Sequence, residues 1–173
     1  MTLGLLIIRV VAGLTMAAHG SQKLFGWFDG PGRRGTAGMM ENLGYREPAV
    51  MASLAGLSEF AGGLGLALGF LTPFAAIAIV VVMLNATIAV HLKNGFWNTK
   101  GGYELPLLMS AAAVGISAAG PGDASLDNAL GIMGALSGDV WAPVVVVAAV
   151  VISTVTMTAG RHHEQLPGAP TGA

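Results

Sequence analysis

Between residues 91 and 104 the chain reads His91-Leu-Lys-Asn-Gly-Phe-Trp-Asn-Thr-Lys-Gly-Gly-Tyr-Glu104, flanked on both sides by apolar runs long enough to be membrane helices. An imidazole, two ammonium groups, two amides, three aromatic rings and a carboxylate supply hydrogen-bond donors, acceptors and proton carriers beside surfaces on which a flat ring can stack. The glycines at 95, 101 and 102 mark turns where backbone can approach a ligand. The chemistry these residues suit is hydrogen bonding and proton transfer to an aromatic headgroup. The chain has no cysteine, which excludes dithiol exchange, thiolate nucleophiles, iron–sulfur ligation and covalent c-type haem. Any redox role must be borrowed from a cofactor, a quinone or a partner.

Other polar residues interrupt the apolar runs. Glu59 lies ten residues into the second run, about 15 Å from either face, where a charged side chain costs at least ~2.5 kcal/mol. A group so costly is either functional or paired with Arg9, His19 or a backbone carbonyl. Gly62 and Gly63 share roughly its face and would let a helix or a flat ligand approach. His19 and Lys23 are spaced i, i+4 at the end of the first run, His91 closes the third, and Glu104 opens the fourth. These groups are expected in one layer, with Glu59 above them. Glu59, His91 and Glu104 are the candidates for proton transfer, and His19, Lys23, Asn94, Trp97 and Tyr103 for holding a cofactor. The competing explanation is that helix ends are polar anyway and that aromatic side chains there anchor at the headgroups. Arg9 is expected to snorkel to the nearer interface or to partner a buried carboxylate, and Asn85 to hydrogen-bond between helices. His19 and His91 are also a candidate pair for haem b, although two histidines are a weak signal. No spacing such as HxxxH favours a metal.

Those residues need a scaffold, and composition says which. Of 173 residues 54% are hydrophobic and 10% charged, with a mean hydropathy of +0.71, whereas soluble domains carry about 25% charged residues. This predicts an all-α integral membrane protein. Five segments approach the ~20 apolar residues of a span: Leu3 to Gly20, Ala49 to Leu71, Pro73 to Leu92, Leu105 to Ala119, the shortest, and Val140 to Ala159. The first lacks a basic n-region and is expected to be a retained helix. With five spans, Lys23, Arg33, Arg34, Arg46, Lys93, Lys100 and Arg161 fall on one side and no lysine or arginine on the other. The positive-inside rule makes the first side cytoplasmic, with the N-terminus outside. Gly26 to Gly35 is expected to be a turn, followed by a short helix capped by Thr36 with Met39, Met40 and Leu43 on one face. The tail at 161–173, with two prolines, is expected to be disordered. A net charge of −1 gives no reason to expect nucleic acid.

Four stretches in order carry a resemblance: His19-Gly-Ser-Gln-Lys-Leu-Phe-Gly-Trp27, Gly56-Leu-Ser-Glu-Phe-Ala-Gly-Gly63, His91 to Glu104, and Gly120-Pro-Gly-Asp-Ala-Ser-Leu-Asp127. Together they resemble the DoxX family of small bacterial membrane proteins over residues 1–130. The resemblance implies a four-helix transmembrane bundle, to which 140–160 adds a fifth helix, and a place in the bacterial plasma membrane. The family in turn resembles the small subunit of thiosulfate:quinone oxidoreductase, which implies a membrane part of a redox or sulfur-handling complex.

The leading expectation is therefore a subunit of an oxidoreductase complex that binds a quinone headgroup in the cytoplasmic-side cluster and takes electrons from a cytoplasmic redox enzyme. The alternatives are a non-catalytic scaffold recruiting soluble redox enzymes and a carrier for a small solute or proton, the latter disfavoured by the absence of inverted repeats. Besides the bilayer, a second copy of the chain is an open class of partner.

Overall fold

A computed structural model describes residues 3–161, and they form an all-α protein. Helix α1 is Leu3–Phe25, α2 Gly32–Asn42, α3 Pro48–Leu68, α4 Thr72–Ala86, α5 Glu104–Ala119, α6 Leu126–Ala129 and α7 Trp141–Gly160. A π turn, Thr87–His91, and a 3-10 turn, Leu92–Asn94, prolong α4 to a span of 23 residues. Proline opens α3 at its first position, where its missing N–H costs nothing. Gly69 closes α3 in the left-handed conformation (φ 63°), and Phe70 N donates back to Gly65 O at 2.8 Å. That cap ends the helix three residues before the expected Leu71.

Helices α1, α3, α4 and α5 surround the core, where Met16, Leu66, Ile79, Val80, Ala113 and Ile116 are buried, and α7 packs outside against α4 and α5. Ile7, Val11, Leu57, Leu108, Val147 and Val151 point outward, as lipid-facing side chains do. The protein is a multi-pass membrane protein. At 16 residues α5 is about 24 Å long, short of a ~30 Å hydrocarbon core. It nevertheless crosses from end to end. Glu104 N donates to Phe96 O in the loop that follows α4, while beyond its far end Pro121 O accepts from Arg9 near the start of α1. Phe74 meets Trp141 at the start of α4 and α7, and Asn85 donates to Thr156 at 3.0 Å farther along, so these two helices run parallel. All seven cations outside the apolar runs therefore lie at the end of the bundle that holds Lys23.

The α1/α3 contact is made backbone to backbone. Gly13 and Gly20 on α1 face Gly63 and Gly56 on antiparallel α3, each pair spaced by seven residues. A Cβ on Gly13 would lie 2.5 Å from Ala67 N, and one on Gly20 or Gly63 would be nearer still to the backbone of Phe60 or Ala17. Without a hydrophobic driving force inside lipid, such close approach is the main source of helix association.

Three local expectations change. Arg9 does not snorkel: it is 2% exposed, and its guanidinium donates to the carbonyls of Pro121 and Ala124 in the segment that caps this end of the bundle. The cap's acid is Asp127, fully buried, whose carboxylate accepts from Leu71 N (2.7 Å), Thr72 N (3.1 Å) and Thr72 Oγ1 (2.7 Å) and so caps the N-terminus of α4. Thr36 does not cap α2. The helix begins earlier, at Gly32, because Pro31 already has a helical φ of −70°. Thr36 is buried inside the helix, donating to Gly32 O at 2.9 Å and lying 3.3 Å from Lys23 O, and so ties α2 to the end of α1. Arg161, expected in the disordered tail, pairs with Tyr45 in an antiparallel bridge and lies 5.0 Å from its ring centroid, while Arg46 N donates to Gly160 O. The rest of that tail, 162–173, lies outside the described residues.

Candidate functional site

The residues expected in one polar layer divide into three groups. The first is the ion pair between Lys23 on α1 and Glu59 on α3. Lys23 Nζ donates to both carboxylate oxygens. Glu59 is buried at 1% exposure, whereas the Lys23 side chain keeps 27% of its surface. Gly56, one turn from Glu59, makes room for Leu24 and the Lys23 stem to pack against α3. Each charge thus satisfies the other. Glu59, the residue that pointed to a carrier, is closed off by Lys23.

The second group is the segment from His91 to Glu104, which is tied to itself. His91 ends the π turn, a feature frequent at functional sites. Its Nδ1 lies 2.7 Å from Gly101 O. A carbonyl oxygen only accepts, so Nδ1 carries the proton, and in the neutral ring Nε2 keeps its lone pair. Asn94 Nδ2 donates to the same carbonyl at 3.1 Å. Glu104 Oε2 accepts from Asn98 N at 2.9 Å, Tyr103 N donates to Gly95 O at 3.1 Å, and Glu104 N to Phe96 O at 3.0 Å. Gly102 is obligatory, because a Cβ there would strike Gly95 O and Phe96. The Phe96 ring stands edge-on to both Trp97 (centroids 5.0 Å) and Tyr103 (5.6 Å). Trp97 remains 60% exposed. The loop is thus a braced platform that presents an imidazole nitrogen and aromatic surface at the end of the bundle.

The third group is His19, on the face of α1 opposite α3. It lines a groove of about 290 Å³ with Thr15, Ala18, Gln22 and Phe28. Phe28 and Asp29 both have positive φ, 53° and 56°, and Gln22 Nε2 donates to Phe28 O at 3.2 Å across this turn. Among the described residues no hydrogen bond or ion pair joins one group to another, and no three His, Cys, Asp or Glu side chains come together as metal ligands. His19 and Lys23 lie only about 40° apart around α1, as their i, i+4 spacing foretold; the long Lys23 side chain reaches Glu59, whereas His19 stays in the groove. The roles of Asp127, noted only as the end of a motif, and of Thr36, expected as a cap, were not foreseen, because nothing in their neighbourhood reveals which distant backbone groups they satisfy.

The chain matches the DoxX family model over residues 4–92, from α1 to the end of the α4 π turn and its first following residue. It is 30% identical over 135 residues to an uncharacterised membrane protein of Mycobacterium tuberculosis, an alignment covering 71% of this chain and 78% of that protein. No solved structure matches it. On the strength of the family match and the five-helix membrane fold, this chain belongs to the DoxX family.

Proposed function

We propose that this protein is a membrane subunit of an oxidoreductase complex and binds a quinone-like headgroup at the His91 platform, on the cytoplasmic side. The observation that carries the proposal is the bond from His91 Nδ1 to Gly101 O, which orients the ring and leaves Nε2 as its exchangeable position. Reducing a quinone takes two electrons and two protons. A protonated His91 donates from Nε2 to a headgroup carbonyl and passes that proton on reduction; neutral His91 then accepts a hydrogen bond from the new hydroxyl. Glu104, whose Oε2 accepts from Asn98 N, is the neighbouring group that supplies the second proton when it carries one on Oε1, and it is left as the carboxylate. Phe96, Trp97 and Tyr103 offer the stacking surface. The electrons come from a cytoplasmic redox enzyme docked over the basic loops. Lys23 and Glu59, already paired, hold the bundle rather than the ligand, and His19 faces elsewhere.

A second function, a scaffold that recruits soluble redox enzymes, is favoured by the internal closure of the same loop: Asn94, Glu104 and half of His91 are occupied by backbone. Purified protein in mild detergent separates the two. Menaquinone or ubiquinone should bind wild type and the folded Glu59→Gln variant alike, and His91→Ala at least tenfold more weakly. Failure of wild type to bind either quinone overturns the headgroup site and leaves the scaffold.

We also propose that the Lys23 end is cytoplasmic, from its seven cations. A cysteine at Lys100 in this cysteine-free chain should react with an impermeant maleimide in inside-out vesicles and not in intact cells. The reverse pattern overturns the orientation.

A further inference from the structure

Along the α4/α7 contact runs an open groove of about 290 Å³, lined by Leu84 and Ile88 on α4 and by Val150, Thr154, Met157 and Thr158 on α7. It extends ~12 Å along α7, from Val150 at the middle of that helix to within one turn of its Lys23 end. The hydroxyls of Thr154 and Thr158 donate to the carbonyls of Val150 and Thr154, both at 2.8 Å. Its wall therefore asks for hydrocarbon. Beyond Thr158 by three residues stands Arg161, and Met157 joins it to the groove: Met157 Sδ accepts from Tyr45 Oη at 3.2 Å, and the Tyr45 ring carries the Arg161 guanidinium 5.0 Å from its centroid. That stacking fixes the plane of the guanidinium and leaves its N–H edges unused. Arg161 Nε is buried with no hydrogen-bond partner, and a buried donor without an acceptor calls for one. Arg46, one residue along the same antiparallel bridge, adds a second positive charge. Among the described residues neither arginine pairs with a carboxylate, Glu47 beside Arg46 included. The last carbonyl of α7, which would repel an anion, is taken up by Arg46 N at 2.9 Å.

We propose that this end of the protein binds one anionic phospholipid, its phosphodiester on Arg161 and Arg46 and one acyl chain in the α4/α7 groove. The order of the parts matches the ligand. Cations stand at the headgroup level, and an apolar channel leads from them into the hydrocarbon. A phosphodiester accepts two parallel hydrogen bonds from the side of a guanidinium that holds Nε, the donor left orphaned here. Two arginines with no carboxylate between them favour a lipid of net negative charge over a zwitterionic one, whose own ammonium they repel. The acyl chain fills a furrow whose walls would otherwise lack contacts. Nothing in this site draws on the His91 platform, so it stands whether or not a quinone binds there.

Native mass spectrometry of the delipidated full chain in detergent, titrated with phosphatidylglycerol or phosphatidylcholine, tests the site. Phosphatidylglycerol should form a one-to-one adduct at least tenfold more tightly than phosphatidylcholine. Arg161→Gln should weaken that adduct at least fivefold. Arg46→Gln, at an exposed side chain that no fold contact needs, should weaken it in the same direction. Arg33→Gln, which removes an equally exposed cation from the same end of the bundle, should leave it unchanged. Thr154→Trp, which fills the groove from an exposed position, should weaken both lipids at least threefold. Equal losses at Arg33 and Arg161 overturn the proposal, because attraction would then be diffuse charge and not a site. So does wild-type affinity in Thr154→Trp, which would place the acyl chain elsewhere. Displacement of the lipid by excess inorganic phosphate also overturns it and makes this a site for the free anion.

Discussion

Replacing Gly63 by leucine should remove the folded protein, and Gly63→Ala should lower its stability by about 1–3 kcal/mol. A Cβ at this position points into the backbone of Ala17 and the carbonyl of Gly13, and backbone cannot rotate aside as a flexible side chain does. The α1/α3 pair must separate, and the Lys23–Glu59 pair, which crosses that contact, is pulled open with it. Gly115→Ala is the internal control: α5 leaves that position open, with nothing within 4 Å, so the same substitution should stabilise the helix by about 0.5–1 kcal/mol. The measurement is an unfolding titration with SDS in mixed micelles. Effects of the same sign and size at the two glycines would show that helix propensity, and not backbone contact, governs both.

The second large effect should come from breaking the Lys23–Glu59 pair on one side only. Lys23→Ala leaves a carboxylate buried at 1% exposure with no cation beside it, a change that costs about 3–5 kcal/mol. Glu59→Gln should cost clearly less, because the partly exposed Lys23 ammonium can swing toward the headgroups. Replacing both, Lys23→Met with Glu59→Leu, should recover most of the loss, since apolar groups that fill the space relieve the desolvation of both ions. The same titration applies. A double variant as unstable as Lys23→Ala would show that the pair supplies net attraction beyond mutual neutralisation, and would reverse this account of why it is there.

How much of this was legible beforehand depends on the range over which each cause acts. The spans were readable because hydrophobic length is a property of consecutive residues, but their ends moved: α3 stops at Leu68 under the Gly69 cap, and α1 runs past the expected Gly20 to Phe25. Glu59 announced itself as needing a partner, but the partners expected were Arg9, His19 or a backbone carbonyl, and Lys23 was not among them. Only the antiparallel register of Gly13, Gly20, Gly56 and Gly63 brings the Lys23 stem alongside Glu59. Gly63 drew notice for its place beside Glu59; that it meets Gly13, and Gly56 meets Gly20, across the α1/α3 contact was not readable. The His91 loop stood out by its residue types, whereas the inward turn of its hydrogen bonds onto Gly101 and Asn98 depends on left-handed glycine at 95 and 101 and was not visible there.

By itself, then, the order of residues determined that this chain lives in a bilayer, which apolar runs form its long helices, which end collects the cations and which family it resembles, because these follow from local hydrophobicity, charge and short motifs. Tertiary structure decided the rest. Which carboxylate meets which cation, that Arg9 and Asp127 are cap residues, that His19 turns away from Glu59, and that α7 lies outside the ring of four all rest on distances between residues far apart in the chain. Such distances are set by how closely two backbones can approach.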